Sequence, residues 1–138
     1  MPSDPGPLLI EQRIEQGEDL FVRRITTTGE VWTRSRLMRR DEEGWLEDTG
    51  TPEWELEIRL APGALERLRT TLTGSGFFEL PAELRPDGAV IGAGDEIWTA
   101  VLDDRTQTVH LHAAGVTDAP VLAGLAAAVV EAMAESDV

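Results

Sequence analysis

The chain has 138 residues and a formal charge of −14, from 26 acidic residues against 12 basic ones, with 41% hydrophobic and 28% charged residues. That length is one domain, long enough to bury roughly two-thirds of its unfolded surface in a single core. The charge opposes a phosphate backbone and argues against general nucleic-acid binding, and the absence of cysteine excludes disulfides, thiol nucleophiles and thiolate metal sites.

Residues 1–7, with three prolines and a glycine, read as a flexible lead-in to one domain over 8–136. Leu8, Ile10 and Ile14 then share one parity of a strand that "EQGED" (15–19) ends. "LFVRRITTTG" (20–29) and "EVWTRSRLMR" (30–39) follow as two more antiparallel strands meeting at a Thr-Gly-Glu turn. Residues 40–53 form a polar loop with room for a short strand near Trp45–Leu46. "WELEIRLA" gives the cleanest alternation: Trp54, Leu56, Ile58 and Leu60 face a core, and Glu55, Glu57 and Arg59 face water.

"APGALERLRTTLTGSG" predicts a helix, with Pro62 in the first turn, Leu65, Leu68 and Leu72 as its stripe, and Gly74 or Gly76 at its end. Beyond it lies "SGFFELPAEL" (75–84), whose adjacent phenylalanines cannot share a face of any regular element. One of them, Phe77 or Phe78, packs back on the helix's last turn while the other plugs the sheet edge. After a stretch rich in glycine (Gly88, Gly92, Gly94), "DEIWTAVLDDRTQTVHLHA" predicts a hairpin turning near Asp103–Thr106. "DAPVLAGLAAAVVEAMAES" predicts a second helix with Asp118 as N-cap, Pro120 near the first position, and Leu122, Leu125, Val129 and Met133 buried. The order implies an α+β fold: a largely antiparallel sheet with two helices on one face.

Few residues carry recognisable chemistry. His110 and His112 are two apart on a strand and so share a face, where a pair can ligate a metal given a third ligand from Asp95, Asp103 or Asp104. The competing reading makes them simply the solvent side of a hairpin whose other parity, Val109 and Leu111, is apolar. "GAVIGAGDE" has Gly-x-Gly but no helix behind it, so it is a connection rather than a phosphate cradle. Six arginines against Glu30 alone give residues 20–40 a charge of +5, answered by −8 over 41–57; cross-strand pairing between these segments is expected. Trp54 is expected in the core, and Trp98 on a strand covered on both faces. Trp32 alternates with Arg34 and Arg36 on the outer face, the composition of an interaction hot spot; alternatively its ring lies under aliphatic Arg stems.

"LAPGALERLRTTLTGSGFFELPAEL", then Asp95, then "VHLHAAGVTDAPVLAGLAAAV", resembles the emfourin-type small bacterial proteins and related domains of unknown function, over roughly residues 56–133. Emfourins inhibit thermolysin-like metalloproteases, so the resemblance implies a rigid, non-enzymatic protein binder. The early strand departs from that family: "EQGEDLF" stands where a Ser-Gly-Gly-Phe-like turn is usual, and no functional residue carries over.

The expectation is therefore a non-enzymatic interaction domain, protease-inhibitor-like or accessory, with Trp32, Arg34 and Arg36 as partner-binding residues. No catalytic, cofactor-binding or metal-binding residue is assigned. The alternative is a metal- or small-ligand-binding protein using the His110/His112 strand face. No apolar run nears the ~20 residues of a membrane span, and no basic residue precedes the short apolar stretch of "MPSDPGPLLI". A cytoplasmic protein, monomer or homodimer, is expected, and all-Arg basic usage without Lys or Asn suggests a GC-rich bacterial source.

Overall fold

The computed structural model of the chain describes residues 4–88, 90 and 93–137. The chain begins as a meander of three strands: β1 (Leu8–Gln16), β2 (Asp19–Thr26) and β3 (Glu30–Arg36). Gly29 turns β2 into β3 with φ near +91°, where a Cβ would also come within 3.2 Å of Leu65 Cδ2. The strand expected over 30–39 breaks at Leu37, and β4 (Met38–Arg40) forms a separate ribbon with β5 (Leu46–Asp48), the short strand of the expected loop. Asp19 ties that ribbon to β2, accepting from Arg39 Nη1 at 2.9 Å and from the Met38 N–H at 2.9 Å. Those two bonds, the Arg39 one first, hold the Asp19 carboxyl below its usual range.

Strand β6 (Glu55–Arg59) leads into α1 (Pro62–Gly74), then a 3-10 turn over Phe77–Glu79 and the short β7 (Glu83–Leu84). The hairpin of β8 (Asp95–Leu102) and β9 (Arg105–Leu111) and the helix α2 (Pro120–Ser136) complete the chain. Asp103 and Asp104 both take positive φ in the two-residue turn of that hairpin, the conformation that matches the twist of its strands. The main sheet runs β6-β3-β2-β1-β8-β9-β7 and is antiparallel except where β7 joins β9 in parallel. The result is the expected single α+β domain. Of the lead-in, residues 1–3 lie outside the described residues, while the Pro7 carbonyl accepts the Thr27 N–H at 2.9 Å. Gly92 of the glycine-rich stretch also lies outside them.

One face of the sheet is sealed. Ile10, Ile25, Val31, Trp98, Ala100 and Val109 succeed one another across neighbouring strands and are all buried. They form one core with Ala64, Leu68 and Leu72 of α1 and Leu122, Leu125, Val129 and Ala132 of α2. Proline opens both helices, where its missing N–H costs nothing. Asp118 is not the N-cap of α2: Ala119 holds that position without a side-chain bond. Leu65 and Met133, expected in the buried stripes, pack half-exposed at the core's margin.

Two irregularities overturn simple parity. A bulge between Leu8 and Ile10 puts Leu9 and Ile10 together in the core. A second, opposite Val31–Trp32, shifts β6 so that Ile58 and Leu60 point inward while Leu56 is left 39% exposed. Trp54, expected in the core, is consequently only half-buried and belongs to the other face.

The two phenylalanines divide their work through the 3-10 turn. Gly76, at φ 83°, ends the helical run, and Ser75 Oγ accepts the Phe77 N–H at 3.1 Å. Phe77 is 1% exposed within the core. Phe78 meets it edge-on, with ring centroids 5.6 Å apart, and carries the Arg105 guanidinium 4.4 Å above its own ring. Phe77→Ala should therefore cost about 3–5 kcal/mol in urea unfolding, and Phe78→Ala clearly less. An equal or larger loss at Phe78 would contradict this division of roles.

Candidate functional site

The chemistry-bearing residues gather on the face that no helix covers. One ladder of cross-strand neighbours crosses it: Arg34, Val22, Arg13, Ile97, His110 and Glu83. Val22 is 1% exposed on this face although it lies outside the helix-sealed core, because its neighbours on both sides are arginines. Their aliphatic stems take the place of a second layer.

At the β3–β6 end, Trp32, Arg34 and Arg36 alternate on β3 as expected. Trp32 is half-buried, sits opposite Leu56, and donates its Nε1–H to Glu30 Oε1 at 3.3 Å. The arginine-covered tryptophan is a different one. Arg24 and Arg34 lie 5.1 and 4.9 Å from the Trp54 ring centroid, contacts worth about 0.5–1 kcal/mol each where water has access. Arg24 is also paired with Glu11 at 2.6 Å, and Arg36 Nε donates to the Glu18 carbonyl at 2.8 Å. Arg34 makes no ion pair among the described residues, and its buried Nε has no hydrogen-bond partner. The expected pairing between residues 20–40 and 41–57 is realised by Arg23–Glu57 at 3.8 Å. Arg24 and Arg39 instead reach Glu11 and Asp19.

At the β9–β7 end, His110 and His112 do share a face. Their rings stack with centroids 3.8 Å apart and planes 14° from parallel. His110 Nε2 lies 3.0 Å from Asp95 Oδ2, and His112 Nε2 lies 3.0 Å from Glu83 Oε1. His112 Nδ1 is 3.9 Å from the same Asp95 oxygen. Of the acids considered from sequence, Asp95 joins the histidines, while Asp103 and Asp104 form the turn at the far end of the hairpin. Glu83 was invisible to sequence reasoning: it comes from 29 residues before His112 and arrives through the parallel pairing of β7 with β9.

The Asp95 carboxylate is fixed at both oxygens, Oδ2 by His110 and Oδ1 by the Ala113 N–H at 3.1 Å. The bond to His110, then that N–H, hold its carboxyl below the usual range. For Glu83 the bond to His112 is the leading cause of a shift in the same direction, and Arg85 adds to it. Beside this cluster an open hollow of about 290 Å³ is bordered by Arg85, Val90, Ala93 and His112. No helix among the described residues is long and apolar enough to cross a membrane. No protein-family model matches the chain, and no curated protein is significantly similar to it.

Both carboxyls titrate low when folded, so their contribution to stability is present above the ordinary carboxylate pKa and is lost as pH falls through the folded value. NMR titration of the side-chain carboxyls should show His110→Ala raising the Asp95 pKa while leaving Glu83 low, and His112→Ala raising Glu83. Two carboxyls that respond identically to both substitutions would break this pairing.

Proposed function

We propose that the chain is a non-enzymatic protein-interaction domain that docks an acidic, apolar-tipped segment of a partner protein at Trp32, Arg34 and Arg36. The observation that carries this reading is Arg34: a cation without an ion pair among the described residues, lying on the Trp54 ring in a chain of net charge −14. Trp32 and the exposed Leu56 lie beside it on the same face, adding apolar area next to a charge that is already partly desolvated. Tryptophan and arginine are the residues most often responsible for binding energy at such surfaces. The acidic remainder of the surface repels an acidic partner everywhere else and so orients its approach.

The resemblance to emfourins over residues 56–133 supports an inhibitor-like protein without bearing on Trp32, Arg34 or Arg36, and the sequence features described above support a cytoplasmic bacterial setting. The direct experiment measures inhibition of a panel of thermolysin-like metalloproteases, with selection from displayed acidic peptides as a second arm. Binding in either arm should weaken about 30-fold, the equivalent of 2 kcal/mol, in Trp32→Ala and in Arg34→Glu. Inhibition absent at micromolar concentration removes the protease reading. Binding that both substitutions leave unchanged removes the docking surface itself.

A further inference from the structure

We propose that Glu83, Asp95, His110 and His112 form an exchangeable site for a divalent transition metal, zinc being the natural occupant of this donor set. The site is independent of the docking surface. Arg34 and His110 are four strand spacings apart on the same ladder, roughly 19 Å.

His110 and His112 project from one side of β9 because strand residues two apart share a face. Glu83 is the register partner of His110 on β7, and Asp95 begins β8 on the other side. Three hydrogen-bonded strands therefore bring Glu83 and both imidazoles into one cluster, with Asp95 Oδ2 3.0 Å from His110 Nε2 beside it. Ligand atoms of Glu83, His110 and His112 already lie within 4.8 Å of one another. Tetrahedral zinc with ligands at about 2.1 Å needs donors about 3.4 Å apart, with the ion in the plane of each ring. The imidazoles stack with planes 14° from parallel. Binding therefore turns one ring out of the stack as well as closing the donors by on the order of 1 Å, a movement open to partly exposed side chains.

A second observation concerns Ala113. It takes φ 52°, a left-handed conformation that costs a non-glycine residue on the order of 1–3 kcal/mol, and it immediately follows His112. Its N–H donates to Asp95 Oδ1 at 3.1 Å, which leaves Oδ2 facing both imidazoles. Metal ligands are oriented by just such outer hydrogen bonds. The imidazoles select zinc, cobalt, nickel or copper over magnesium and calcium, which prefer all-oxygen ligands. Two carboxylates neutralise the ion's charge, and the adjoining hollow leaves room for water as a further ligand. An ion here would pin the two-residue β7 to the sheet.

The test uses the full chain, freed of any affinity tag. Equilibrium dialysis against Zn²⁺ should find one ion per chain, unaffected by excess Mg²⁺. His110→Ala and His112→Ala should each weaken binding at least tenfold with an unchanged circular dichroism spectrum. These are the chain's two histidines, so the imidazole proton resonances of the unaltered protein give a second readout that needs no variant. Both histidines should shift together and saturate at one equivalent of Zn²⁺. Imidazole resonances that stay in place, or zinc binding that persists in the double His→Ala variant, would overturn the proposal.

Discussion

Leu68 and Leu72 of α1, Leu125 and Val129 of α2, and Val31, Trp98 and Val109 of the sheet exclude water from one another in a single core. Each such side chain contributes about 1.5–3 kcal/mol by leaving water, and the helices reach only one face of the sheet. The other face has to be managed without a second layer. Arginine is suited to that task, because its stem covers apolar backbone and side chains while its head stays in water. The burial of Val22 between Arg13 and Arg34, and the guanidiniums over Trp54, are the visible outcome. The face proposed for recognition is thus a by-product of how the core is built.

The His–carboxylate cluster depends on the same construction at the opposite end. The strand at this edge of the sheet is parallel to its neighbour, and it runs only from Glu83 to Leu84. It is anchored by two backbone bonds, His110 N–H to the Ala82 carbonyl and His112 N–H to the Leu84 carbonyl. Those bonds come from the residues whose imidazoles form the cluster. Side-chain chemistry and strand docking are therefore mechanically coupled at this position. Gln107, also on β9, adds a bond to the Leu80 carbonyl at 2.6 Å and fixes the segment leading into β7.

Much of the architecture was legible because local rules suffice for it. Proline and glycine mark both ends of α1, Asp103–Asp104 mark the hairpin, and periodicity finds Leu122, Leu125 and Val129. Parity failed where a bulge intervened, at Leu9 and at Leu56, since an extra residue in a strand has no reliable sequence signature. Trp54 was misplaced for that reason alone. In the site, His110 and His112 could be paired from their spacing and Asp95 from proximity. Glu83 could not, because no local signal foretells a two-residue parallel pairing across the chain. Ion pairs followed spatial register rather than sequence blocks, which is why Arg24 and Arg39 found Glu11 and Asp19.

The sheet's two borders differ from its centre in a way that limits how other molecules can join it. One border is β7, too short to template a neighbour's backbone; the other is β6, irregular in register and flanked by the solvent-facing charges Glu55, Glu57 and Arg59. Short, distorted or charged margins are the common protection against strand addition and fibrillar stacking. Strand addition at either border is thereby disfavoured, which leaves the side chains across the breadth of the sheet as the surface it offers to other molecules.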